Sequence, residues 1–300
     1  MSDAVILMAY GSPERLEDVS AYYEDIRGGR PVPEERVQEL VARYRRLRIE
    51  EHSPLNTVTE ETRAALERTL GILVYTGMKH WQPRIPEAVE RALARGADRI
   101  AGLVLAPHYS RLSVGDYRRR LEEALAGRAE LLFVESWHDE PGLIEFLAER
   151  VRGADAHVVF TAHSLPARIL DEGDPYQDEL LATSRLVAER AGLDEWSFSY
   201  QSASETGELW LGPDIVGHLE DLHGRGVSHV LACPVGFVAD HLEILWDLDT
   251  EAAGRARELG MRFARIDMPN ADPAFVEVLT GILRRALSAT PAGAESPHLP

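Results

Sequence analysis

The sequence predicts an α/β protein made of two similar doubly wound domains, flavodoxin-like or Rossmann-like, each a parallel sheet flanked by helices. Three observations carry this. Short apolar runs alternate with amphipathic stretches along the chain. The runs are apolar almost without interruption, as strands covered on both faces must be. The order of local motifs in the first half recurs in the second.

The runs read as strands at Val5–Met8, Leu73–Thr76, Ile100–Ala106, Leu131–Val134, His157–Thr161, Phe198–Gln201, His229–Pro234 and Phe263–Ile266. Between them, Pro86–Arg95 and Asp178–Ala191 have the spacing of amphipathic helices, closed by Gly96 and Gly192 at C-terminal cap positions. The repeat shows in the loops: Ala9–Pro13 after the first strand is answered by Ala162–Pro166, and Ala106–His108 by Cys233–Val235. The halves therefore divide at 1–150 and 151–287, and residues 288–300, rich in Ala, Pro and Ser, are expected to be a disordered tail.

Composition narrows the function. Of 300 residues, 45% are apolar and 27% charged, the balance of a soluble globular protein. No apolar stretch reaches the roughly 18 residues of a membrane span. Met1–Ala4 lacks the basic region of a signal peptide. A net charge of −18 argues against nucleic acid and against an anionic lipid surface. The single cysteine, Cys233, rules out an internal disulfide and a four-cysteine cluster. A cytoplasmic location is expected. No Gly-x-Gly-x-x-Gly fingerprint follows a strand, so no nucleotide is expected.

In open α/β sheets ligands bind beyond the carboxyl ends of the strands. That places His163 and Glu243 in site positions, and an imidazole facing a carboxylate can bind a divalent metal or move protons. Each has a plainer reading: His163 as a turn-capping histidine, Glu243 as a first-turn helix carboxylate. Asp247 and Glu251 follow Glu243 at four-residue spacing, so on a helix the three share a stripe and Asp249 falls off it. That stripe reads either as a solvated acidic face or as a path for a hydrated cation. Tyr10 is either core or a cleft residue. Arg27 and Arg30, after a helix bearing Tyr22 and Tyr23, offer planar forks that suit carboxylates.

Two loops resemble the signature loops of the ferrochelatases, which insert Fe²⁺ into a porphyrin during haem synthesis. They are Thr161-Ala162-His163-Ser164-Leu165-Pro166 and Pro234-Val235-Gly236-Phe237-Val238-Ala239-Asp240-His241-Leu242-Glu243. Met8–Pro13, Leu105–Ser110, Trp210–Asp214 and Met268–Ala271 fit the same family in the same order, between about Val5 and Leu287. The resemblance implies the chelatase fold, with its site in the cleft between the halves. His163 would be metal ligand or acceptor of pyrrole protons, and Glu243 its partner across the cleft. Burial would raise the Glu243 pKa and suit it to accept a proton. Asp247 and Glu251 would complete the metal-handling set as an acidic track. Tyr10 would cover the opposite face of the macrocycle, and Ser12, Arg27, Arg30, Arg43, Ser53 and Tyr117 would contact the ring or its propionates. Lys79 and His80 would mark the cleft periphery, and His108 a structural or catalytic position.

The resemblance further implies Fe²⁺ as substrate, no permanently bound cofactor and no iron–sulfur cluster. Expected partners are the porphyrin, Fe²⁺ and transient contacts among haem-pathway proteins, with no nucleic acid and no stable membrane insertion. The acidic, single-cysteine chain resembles the soluble bacterial enzymes that use coproporphyrin III, whose four propionates suit an arginine-bearing cleft. The rival readings are a chelatase for another tetrapyrrole or metal, such as cobalt, and a porphyrin or metal carrier without chemistry. In one place the chain departs from the family: Leu47–Leu55 lacks the usual glycine pair, and Glu50 and Glu51 resist the left-handed turns that glycines permit.

Overall fold

The computed structural model describes residues 2–49, 51–203 and 207–289. Eight strands, β1 Asp3–Ala9, β2 Leu73–Met78, β3 Arg99–Val104, β4 Glu130–Val134, β5 His157–His163, β6 Trp196–Gln201, β7 His229–Cys233 and β8 Arg262–Arg265, match the expected runs to within two residues at each end. The helices are α1 Val19–Ile26, α2 Glu34–Arg46, α3 Pro54–Leu70, α4 Ile85–Ala94, α5 Val114–Leu125, α6 Pro141–Val151, α7 Arg168–Asp171, α8 Tyr176–Ala191, α9 Ile215–Gly224, α10 Ala253–Glu258 and α11 Pro273–Ser288. Between β7 and α10, Ile244–Ala252 winds as a π-helix.

The strands form two four-stranded parallel sheets, β2-β1-β3-β4 and β6-β5-β7-β8, which share one strand order. The order in which strands are added reverses between β1 and β3 and again between β5 and β7, all strands being parallel. These are the two switch points at which such sheets open a crevice. The repeated order is the structural form of the motif repeat.

The helices do not divide as simply as the strands. The inner faces of both sheets bury into one core, in which Val5, Leu103, Leu147, Phe160, Phe275 and Leu283 all take part. The N-terminal sheet's other face packs Ile85, Val89 and Leu121 of α4 and α5. The second sheet's other face packs Leu219 and Leu222 of α9 with Ile244 and Leu248 of the π-helix. Helix α6 lies against α8 and β7, while α11 returns to α3, α6, β3 and β4 of the first half. Arg284 Nη2 donates to the Thr69 carbonyl at 3.0 Å, and Arg99 donates to that of Leu287. Ser288, assigned to the tail by composition, closes α11, and residues 290–300 lie outside the described residues.

A small lobe of α1 and α2 stands beside the sheets. Its core is Val19, Val37, Val41, Tyr44 and Ile49, and Leu242 and Leu245 pack against it. The turn after α2 is left-handed despite the missing glycines: Arg48 has φ 58° and His52 φ 60°. The chain thus keeps the turn and carries its strain on non-glycine residues. Glu51 pairs with Arg15 in an isolated antiparallel bridge, and Glu50 lies outside the described residues.

Phe275 anchors α11. It is 1% exposed, with its ring 5.7 Å from Phe146 and 6.1 Å from Trp137. Phe275→Ala is expected to cost about 3–5 kcal/mol, measured by urea unfolding; a loss below about 1 kcal/mol would show that α11 is not a core element.

Candidate active site

The second sheet's switch point brings two loops together. β5 ends at His163, and the chain leaving β7 runs through Pro234 to Glu243. They touch at Gly236, whose N–H donates to the Thr161 carbonyl at 3.2 Å. A Cβ at Gly236 would lie 2.5 Å from the Ala162 Cβ and 2.8 Å from its Cα, so only glycine fits this approach. Beyond β5, Ser164 Oγ donates to the Leu211 carbonyl at 2.7 Å, which ties the His163 loop to the Trp210 segment.

His163 Nδ1 donates to the Ser164 carbonyl. That bond commits the Nδ1 proton to the backbone and turns Nε2 toward the cleft, 3.6 Å from Glu243 Oε1. On the other side, His241 Nε2 lies 3.5 Å from Glu243 Oε2, with its Nδ1 donating to the Ala239 carbonyl at 3.0 Å. Glu243 is therefore bracketed by two imidazoles oriented in the same way. The rings of Trp210 and Phe237 wall His163, each centred 6.4 Å away.

This bracket corrects the expected electrostatics of Glu243. Burial pushes its pKa up, but the charges of His163 and then His241 win and hold it well below the usual carboxylate range. Burial pushes His163 down, and Glu243 overcomes it and raises the imidazole above its ordinary value. A proton taken up by the pair is therefore held on His163 rather than on Glu243. The carboxyl with the raised pKa is Asp247, which burial and then the Glu243 charge push up to about 6. Asp247 Oδ2 accepts from Ser202 Oγ and, at 3.4 Å, from Gln201 Nε2.

The π-helix carries these carboxylates outward. Its hydrogen bonds skip five residues, as in Ala253 N–H to the Leu248 carbonyl, a winding often found at functional sites. Asp247 is 8% exposed and Glu251 is on the surface, where Trp246 Nε1 donates to its Oε1 at 2.6 Å. Asp249 points off the stripe, as its spacing implies. Arg265 Nε donates to its Oδ1 at 2.8 Å, while Arg265 Nη2 reaches Asp240 Oδ1 at 2.9 Å. Asn270, with φ 48°, exchanges two hydrogen bonds with Asp240, at 2.7 and 2.8 Å. Arg265 and Asn270 thus pin both the Asp240 loop and the π-helix.

The other expected residues fall into two groups. Tyr10, at the end of β1, is 40% exposed, rests against His80 with ring centroids 4.6 Å apart, and feels the Glu243 charge. Arg27 and Arg30 are exposed after α1, with Arg30 Nε donating to the Arg27 carbonyl at 3.0 Å, and neither meets a carboxylate among the described residues. Arg43 is exposed, its guanidinium 5.1 Å from the Trp246 ring centre. Ser12, Ser53 and Tyr117 are buried. Ser12 Oγ shares a hydrogen bond with Tyr44 Oη at 2.9 Å, Ser53 N–H donates to Glu14 at 3.3 Å, and Tyr117 lies under Lys79 Nζ.

Lys79 pairs with Asp116 at 2.9 Å and His80 with Asp25 at 2.8 Å, both buried rather than at the periphery. His108 is buried away from the cleft, where its Nε2 meets Thr183 Oγ1 at 2.9 Å. Sequence reasoning assigned no role to His241, Gln201, Tyr176, Trp246 or Arg265. Only His241 carried a signal, two positions before Glu243. Tyr176, whose hydroxyl donates to the His163 carbonyl at 3.0 Å, carried none.

Two outcomes follow from this geometry. Gly236→Ala should cost about 1–3 kcal/mol in urea unfolding and let the His163 pKa, read by NMR, fall toward its ordinary value; an unchanged His163 titration would show that the loop contact does not set the pair. Asp247 binds its proton more tightly folded (about 6) than at its ordinary 3.8. Its contribution is therefore most favourable below the lower value and is lost as pH rises through the higher. Asp247→Asn should accordingly raise Tm over the parent by an increment that grows from pH 5 to pH 8. A pH-independent increment would contradict the raised pKa.

The comparisons agree with one another. The family model Ferrochelatase matches residues 2–287. A protein named ferrochelatase from Herpetosiphon aurantiacus is 43% identical over 299 residues, covering 93% of this chain and 97% of that one. A protein named coproporphyrin III ferrochelatase from Geobacillus kaustophilus is 38% identical over 299 residues, covering 93% and 94%. Among solved structures, SirB from Bacillus subtilis with Fe³⁺ superposes with a TM-score of 0.63 at 10% identity, covering 96% of each chain, a likeness of fold.

Proposed function

Because the chain belongs to the ferrochelatase family, we propose that it inserts Fe²⁺ into a porphyrin in haem synthesis, and that the porphyrin is coproporphyrin III. The observation that carries the reading is the His163–Glu243 pair at the switch point. Insertion exchanges Fe²⁺ for two pyrrole N–H protons. An imidazole that presents Nε2 beside a retained negative charge can take such a proton, because the resulting imidazolium is held by Glu243. Asp247, with a pKa near 6, can then accept and release protons close to neutrality. Glu251 extends the same stripe to solvent, where carboxylate oxygens suit a hydrated divalent cation. Tyr10 faces the ring from the first half.

Two exposed arginines and a 38% identical relative named coproporphyrin III ferrochelatase support coproporphyrin III. Arg27 and Arg30 are exposed without carboxylate partners among the described residues, so their donors are available to propionates. No helix among the described residues is long and apolar enough to cross a membrane. A charged hydrogen bond contributes roughly 1.5–3 kcal/mol when partly desolvated, so two further propionates can set a preference of about tenfold or more.

The test is anaerobic steady-state metallation with Fe²⁺ and each of the two porphyrins. The parent should turn over coproporphyrin III at least about tenfold more efficiently than protoporphyrin IX. His163→Ala should retain less than about 1% of that turnover while keeping the parent circular dichroism, since a positioned proton acceptor contributes about 10²-fold or more. A preference for protoporphyrin IX would remove the substrate assignment alone. Near-normal turnover in His163→Ala would remove the site, and an inactive parent would remove the reading as a whole.

A further inference from the structure

We infer that Trp246 is a positioning residue that serves both substrates through different parts of one side chain, its indole face holding the arginines of the lobe and its indole edge holding the outermost carboxylate of the π-helix. The inference rests on the function proposed above and deepens it.

The face is occupied by cations. The guanidinium carbons of Arg43 and Arg46 lie 5.1 and 5.9 Å from the ring centre. Both arginines stand in the last turn of α2, and the lobe that carries them packs against Leu242 and Leu245, four residues and one residue before Trp246 in the sequence. Among the described residues neither arginine forms a salt bridge with a carboxylate. A cation–π contact holds a guanidinium beside the ring without using up its five N–H donors as a salt bridge would. The indole therefore fixes where the two cations stand and leaves their hydrogen-bonding edges for a carboxylate that arrives with the substrate.

The edge does separate work. Nε1–H donates to Glu251 Oε1 at 2.6 Å. Glu251 is exposed, and a free glutamate there would sample several rotamers. The indole N–H selects one of them, so that the first carboxylate met by a hydrated cation lies in line with Asp247.

A phenylalanine preserves most of the face and removes the edge; a leucine removes both. The experiment measures KM for Fe²⁺ and for coproporphyrin III in the intact enzyme, its Trp246→Phe and Trp246→Leu variants, and Glu251→Gln alone and combined with Trp246→Phe. Trp246→Phe should raise the Fe²⁺ KM roughly three- to tenfold, the factor corresponding to a net hydrogen bond of about 0.7–1.4 kcal/mol, and leave the porphyrin KM within about twofold. Trp246→Leu should raise the Fe²⁺ KM equally and the porphyrin KM by about two- to fivefold, as loss of an exposed cation–π contact of about 0.5–1 kcal/mol predicts. In the Glu251→Gln background, Trp246→Phe should add almost nothing. Equal shifts of both KM values in Trp246→Phe would overturn the division of labour, as would an unchanged porphyrin KM in Trp246→Leu. A lower Tm with both KM values unmoved would reduce Trp246 to packing and overturn the inference. An inactive parent enzyme overturns the proposed function itself and is seen before any variant is compared.

Discussion

Glu243 keeps its charge in the cleft between two imidazoles, and much of the surrounding structure follows from that arrangement. The charge persists because two imidazoles face the two oxygens, at 3.6 and 3.5 Å. Each imidazole can do so only because a backbone carbonyl occupies its other nitrogen. Those carbonyls belong to two different loops, so the array exists only while the loops are held in contact. Gly236 permits that contact, and Arg265 with Asn270 keeps the second loop from swinging away. The retained charge then raises His163 against the pull of burial and adds to the burial that raises Asp247 to about 6.

The strands were legible because a buried parallel strand needs an unbroken apolar run, and few other elements show one. Their repeated order was legible because the loops leaving β1 and β5 carry related residues. The exchange of helices between the halves was not. Nothing local in Phe275, Leu279 or Leu283 says which sheet they will cover, because the choice is made by contacts distant in sequence.

The site was legible in its parts and misread in its charges. The spacing of Glu243, Asp247 and Glu251 suggested a shared stripe, but it fits a π-helix as well as an α-helix, so the winding could not be told apart. The expected rise in the Glu243 pKa considered burial and left out His241, whose proximity depends on the loop's path. Ser12, Ser53 and Tyr117 are buried, Ser12 against Tyr44 of the lobe and Tyr117 in the core of α4 and α5, since facing is decided by contacts distant in sequence. The left-handed turn at Arg48 and His52 shows the opposite kind of error: the backbone kept a shape that its residue types disfavour.

The return of α11 to the first sheet has a consequence for how the chain is made. A ribosome releases the N-terminal half long before residues 273–288, yet that half lacks a helix of its own over part of β3 and β4 until those residues arrive. During synthesis an apolar strip that will hold Phe275 and Leu283 remains uncovered, open to chaperones or to neighbouring nascent chains. The last helix thus completes the cover of the first sheet. A truncated product would present that strip permanently.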